Sequence, residues 1–118
     1  MAPTEAVVAT QGALFELMRA QRPYLRADLT LTELAKLMQT NSAMISKVIN
    51  QTGSNFNDFI NEYRVHEVQA KIQQNAHLTQ TLLALAFDSG FNSKATFNRA
   101  FKKIVGKTPK AYIEALGK

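Results

Sequence analysis

Apolar residues along this chain recur at three- and four-residue intervals, the period of helices with one buried face. Over no useful stretch do β-branched residues alternate with polar ones, so strands are not expected. The pattern predicts an all-α fold of about seven helices. Residues 5–21 form the first, with Leu14, Phe15, Leu17 and Met18 as its apolar side, and Pro23 ends it. Thr30 or Thr32 caps a short second helix in which Leu31, Leu34, Ala35 and Met38 make one stripe. A turn at residues 39–41 leads to a third helix from about Ser42 to Gln51, burying Ile45, Val48 and Ile49, with Gly53 placed to stop it in a left-handed conformation.

The longest helical stretch runs from Asn55 to about Gln74, with Phe56, Phe59, Ile60, Tyr63, Val68 and Ile72 as its apolar contacts. At 1.5 Å per residue it is roughly 30 Å long, the dimension of a spacer. A short helix over residues 80–87 then buries Leu82, Leu85 and Ala86, and Gly90 and Phe91 turn the chain. Asn92 is positioned to cap the next helix, which Phe97 and Phe101 anchor. Gly106 closes that helix, Pro109 opens the last one, and Tyr112 and Ile113 return to the core.

Laid over one another, the two halves repeat. Leu31, Leu34 and Ala35 correspond to Leu82, Leu85 and Ala86 at an offset of 51, and Ile45 and Ile49 to Phe97 and Phe101 at 52, so the second turn is one residue longer. Gly53 and Gly106 end both units, and the polar pair Ser46 and Lys47 matches Asn98 and Arg99. A shared order of helix, turn, helix and glycine is the layout of tandem helix-turn-helix units. The expected division is an N-terminal helix over 1–22, a first unit over 23–54, a linker helix over 55–75 and a second unit with its C-terminal helix over 76–118. Recognition helices on one DNA face sit about 34 Å apart, a distance of the same order as the linker.

Composition narrows the function class. The 118 residues fit one domain. No window approaches the roughly 18 apolar residues of a membrane span, and the opening lacks the layout of a signal peptide, so a cytoplasmic protein without membrane contact is expected. There is no cysteine, and His66 and His77 alone do not make a zinc site. No nucleophile, base and orienter set, phosphate-binding glycine loop or carboxylate pair is legible, so neither catalysis nor a cofactor is expected. The net charge of +5 is unevenly spread: residues 1–54 carry five Lys or Arg against four acids, residues 55–118 nine against five. Between Asp88 and Glu114 lie Lys94, Arg99, Lys102, Lys103, Lys107 and Lys110 with no acid among them, a field suited to a polyanion.

The stretch ALAFDSGFNSKATFNRAFKKIVGKTPKAYI, Ala84 to Ile113, resembles the signature of the second helix-turn-helix unit in AraC/XylS-type bacterial transcription regulators. LTLTELAKLM and ISKVINQTGSNFNDFINEYRV resemble the first unit and its exit into the linker, and the resemblance covers about residues 24–115. Two departures stand out: Gln39 occupies a turn position where the family commonly has Gly, and Met44 one where an aromatic is usual.

The resemblance implies a DNA-binding domain that reads bases with the outer faces of its two second helices, here Ala43, Ser46 and Lys47 in the first unit and Lys94, Ala95, Asn98 and Arg99 in the second. Arg99 is the strongest candidate, since its planar fork matches guanine O6 and N7, whereas Ala43 and Ala95 offer only apolar contact to a thymine methyl group. Phosphate contacts are expected from Lys102, Lys103 and Lys107, from helix starts at Thr32 or Ser93, and from Asn61 and Arg64 early in the linker helix. Sequence-specific binding of double-stranded DNA for transcription regulation is the leading expectation; a helical protein-interaction domain whose basic patch meets an acidic partner is the alternative. RNA polymerase and a sensor or ligand-binding domain in a longer parent chain are the further partners that the resemblance implies.

Overall fold

A computed structural model of the chain describes residues 4–118. Its regular structure is helical, with no strand among the described residues: α1 (Glu5–Gln21), α2 (Leu31–Leu37), α3 (Ser42–Gln51), α4 (Phe56–Gln73), α5 (Leu82–Asp88), α6 (Lys94–Val105) and α7 (Pro109–Ala115), plus single 3-10 turns at Pro23–Leu25 and Ala76–Leu78. The chain packs as two compact units, the first ending at Phe59 and the second running Ile60–Lys118, so α4 gives its opening turn to the first and its remainder to the second.

Capping side chains decide where these helices begin. Thr4 accepts from the Val7 amide at 3.2 Å to start α1, which stops where Arg22 adopts φ 52° ahead of Pro23. Thr30, rather than Thr32, caps α2 by accepting from the Glu33 amide at 3.1 Å. Asn41 caps α3 through the Met44 amide, 2.9 Å, and Asn55 serves α4 through Asp58, also 2.9 Å. Each such bond satisfies an amide that the first helical turn leaves without a partner, and its loss costs about 1 kcal/mol.

The sequence repeat is a repeat of backbone geometry. Thr81 caps α5 as Thr30 caps α2, at an offset of 51. Gln39 at φ 57° and Gly90 at φ 105° end the two first helices, also at 51. Around them the same pair of bonds closes the turn: Gln39 N–H to Lys36 O and Thr40 N–H to Ala35 O, both 3.0 Å, against Gly90 N–H to Phe87 O at 3.1 Å and Phe91 N–H to Ala86 O at 3.0 Å. This is the left-handed helix termination in which two orphan carbonyls recover donors. The caps of the second helices, Asn41 and Ser93, stand at 52, placing the extra residue of the second turn between Gly90 and Ser93. Asn92, expected to cap α6, lies in that insertion and Ser93 does the capping instead, accepting from the Thr96 amide at 3.1 Å. Gly53 and Gly106, at φ 85° and 84°, close the pair.

Each unit has its own core. In the first, Leu14 and Met18 of α1 are buried with Leu34 and Ala35 of α2 and Ile45, Val48 and Ile49 of α3, and Phe15 stacks on Phe59 with ring centroids 6.4 Å apart. In the second, Val65, Val68 and Ile72 of α4 pack with Leu85, Ala86, Phe91, Phe97, Ala100 and Phe101. The aromatic rings form a chain of edge contacts: Phe91 to Phe97 at 5.4 Å, Phe97 to Phe101 at 5.8 Å, Phe101 to Tyr112 at 5.5 Å. Those contacts lock the rotation of α6 about its axis.

Candidate nucleic-acid interface

Burial of one face of a helix dictates what the other presents. On α3, burial of Ile45, Val48 and Ile49 leaves Ala43, Lys47 and Asn50 exposed and Ser46 half-buried, a stripe at the i, i+3, i+4, i+7 spacing. On α6, burial of Phe97, Ala100 and Phe101 leaves Lys94, Ala95, Asn98, Arg99, Lys102 and Lys103 exposed. The base-reading set expected from the sequence thus falls on one face of α3 and one face of α6. The two pairs matched by the repeat are not equivalent, however: Asn98 is exposed and Ser46 half-covered.

The residues expected at phosphates are more scattered. Thr32 is exposed in the first turn of α2, and Lys107 follows the Gly106 terminator, also exposed. Ser93 has its hydroxyl committed twice, accepting from the Thr96 amide and donating to Thr96 Oγ1 at 2.9 Å. Asn61 and Arg64 are half-buried on α4, and burial pulls the Arg64 guanidinium below its ordinary pKa. Lys110, absent from the expected set, stands with it: an open hollow of about 480 Å³ is lined by Leu82, Asn98, Arg99 and Lys102 together with Pro109 and Lys110. The signal was in the sequence as the last member of the acid-free run, but its place beside α6 depends on how α7 packs, through the Phe101–Tyr112 contact.

The electrostatics of the two units differ. In the first, Arg19 is paired with Glu16, and Arg26 bonds Glu33 at 2.6 Å and Asp28 at 3.3 Å. These contacts hold the Glu16 and Glu33 carboxyls below, and the two guanidinium groups above, their usual values, the side-chain hydrogen bonds being the largest cause and the Coulombic attraction adding to them. In the second, Lys71 and Glu67 form a partly buried i, i+4 pair at 3.0 Å along α4, while the cations of α6 face solvent.

Comparison with known proteins places this geometry. The family model for a helix-turn-helix domain matches residues 34–115. The chain belongs to the AraC-type helix-turn-helix family. An uncharacterised helix-turn-helix-type transcriptional regulator of Staphylococcus aureus (strain COL) is 30% identical over 86 residues, which is 72% of this chain and 11% of that protein. The chain therefore spans about a ninth of the length of the curated relative it matches. Among solved structures, a protein of unknown function from Listeria innocua superposes with a TM-score of 0.70 at 25% identity, covering 89% of this chain and 94% of that one. The C-terminal domain of AraT, a response regulator from Geobacillus stearothermophilus, gives 0.68 at 21% identity over 95% and 86% of the two chains. That of the two-component response regulator yesN from Fusobacterium nucleatum gives 0.64 at 23% over 93% and 99%. The AraC-type module is thus one of DNA binding, and its fold is two helix-turn-helix units in one chain.

Proposed function

We propose that this AraC-type module binds duplex DNA sequence-specifically, with the outer faces of α3 and α6 entering successive major grooves. The observation that carries the reading is the repeated termination and capping around Gln39 and Gly90, which rebuilds one helix-turn-helix twice and leaves one face of the second helix exposed each time. Base edges fall to Ala43, Ser46 and Lys47 on α3 and to Lys94, Ala95, Asn98 and Arg99 on α6. Arg99 takes guanine O6 and N7 with both arms of its fork, worth about 1–3 kcal/mol of discrimination, and Ala95 meets a thymine methyl group. Lys102, Lys103 and Lys107, with Thr32, Asn61, Arg64 and Ser93 in supporting places, set the register on phosphates, which carry no sequence information themselves. A duplex presents equivalent groove faces about 34 Å apart, and one chain with two units replaces the dimer that a single unit needs. A sensor or ligand-binding part of a longer parent and RNA polymerase are the proposed protein partners, and the cytoplasm the proposed compartment.

The test is selection from a random duplex pool followed by anisotropy titration at matched salt. Selected sequences should bind well above the unselected pool. Arg99→Ala should relax preference at one base pair, whereas Lys102→Ala should weaken all duplexes alike. Equal affinity for selected and unselected duplexes, together with tight capture of an acidic protein, would replace this reading with a protein-interaction domain.

A further inference from the structure

The whole of the chain's net charge lies in one unit. Residues 1–59 hold five Lys or Arg and five acids, and residues 60–118 hold nine and four, so the first unit is neutral and the second carries all of the +5. The imbalance grows when ion pairs are considered. In the first unit Arg19 and Arg26 are bound to carboxylates, leaving Lys36 and Lys47 as exposed cations with no carboxylate against them among the described residues. In the second, Lys94, Arg99, Lys102, Lys107 and Lys110 are all exposed in that state. At positions where α6 carries Lys102 and Lys103, its counterpart α3 carries the uncharged Asn50 and Gln51.

The second unit also has a hollow lined by α6 and the start of α7. The hollow beside α6 has mostly carbon walls, to which Leu82 and Pro109 contribute, and three cations line it: Arg99, Lys102 and Lys110. An apolar surface bordered by cations is complementary to a deoxyribose flanked by phosphates. At the repeat positions of Asn98, Arg99 and Lys102 the first unit carries Ser46, Lys47 and Asn50, one cation in place of two.

Resting on the DNA-binding reading above, we propose that the two units divide the work unequally: the second anchors the chain by seating the sugar–phosphate backbone in the cationic hollow between α6 and the start of α7, and the first, electrically neutral, adds base discrimination with little affinity of its own. Lys110 is then an anchoring residue alongside Lys102. Anchoring by phosphate neutralisation leaves a thermodynamic signature, because each cation that displaces a condensed counterion adds about 0.9 to the slope of log affinity against log salt. Discrimination by uncharged contacts adds nothing to that slope.

The experiment measures this slope by anisotropy on one selected duplex, using the full chain and two variants whose folding is checked by circular dichroism. The second-unit variant is Lys102→Gln, Lys107→Gln, Lys110→Gln; the first-unit variant is Lys36→Gln, Lys47→Gln. The triple variant should lose about 0.9 of slope per lysine, about 2.7 in all, so that its affinity falls about 40-fold less than that of the unmodified chain between 50 and 200 mM salt. The double variant should lose clearly less per lysine while its preference among duplexes relaxes. An equal or larger loss per lysine in the first-unit variant overturns the division of labour and leaves DNA binding intact. Failure of the unmodified chain to bind any duplex at 50 mM salt overturns the DNA reading itself, and this inference with it.

Discussion

Gln39 is the residue whose replacement tests most sharply whether the repeat is one of backbone geometry. It ends α2 with φ 57°, a conformation in which Cβ crowds the following carbonyl oxygen, at a cost of about 1–2 kcal/mol for any residue but glycine. The matching position of the second unit is Gly90, at φ 105°. Gln39 is exposed, and among the described residues its side chain makes no hydrogen bond, so Gln39→Gly removes the crowding without removing a polar contact. Against that gain stands the larger conformational freedom of an unfolded glycine, about 0.5–1 kcal/mol. The net expectation is a stabilisation of about 0.5–1 kcal/mol, or about 2–8 °C in melting temperature for a unit of this size. Urea unfolding followed by circular dichroism reads it as a raised midpoint with unchanged slope. Gln39→Ala, which keeps Cβ, should move the midpoint little, and Gly90→Ala should lower stability by at least about 1 kcal/mol. A lowered midpoint for Gln39→Gly would refute the argument, since the turn would then owe its form to the glutamine side chain and not to the backbone.

Two further perturbations follow from particular side chains. Both ring nitrogens of His77 are buried without a hydrogen-bond partner, and an unpaired buried polar group costs about 1–3 kcal/mol, so His77→Leu should raise the unfolding midpoint; a loss would mean that the imidazole is satisfied in solution. The Glu33 carboxyl is held below its usual 4.5, chiefly by its hydrogen bond to Arg26. A depressed carboxyl contributes stability that is present above about pH 4.5 and is lost as pH falls through its folded value. Glu33→Gln should therefore lower stability at pH 7 and leave it unchanged near pH 2, as read by thermal melts across that range; a pH-independent difference would assign the effect to lost packing.

The elements were legible wherever local chemistry decides them. The bounds of α1 and α3, the stripe of Leu34 and Ala35, and the terminating glycines Gly53 and Gly106 follow from periodicity and capping preference, which act within a few residues. Ser93 and Asn92 are both good caps standing side by side, and the choice between them depends on where Phe91 packs, a tertiary matter. Val65 was missed as a core residue because the apolar stripe of α4 is interrupted by Arg64 and His66, and only contacts with α5 and α6 show which side faces inward. Likewise the burial of Arg64 and the place of Lys110 beside α6 depend on contacts distant in sequence. Charge segregation was visible in part, but the ion pairs of Arg19 and Arg26 sharpen it.

Hydroxyl-radical footprinting of the chain on one selected duplex tests the two-groove account most directly. Two protected tracts on the same face of the helix, centred about 10 base pairs apart, are expected. A single protected tract, or two tracts on opposite faces, would contradict it.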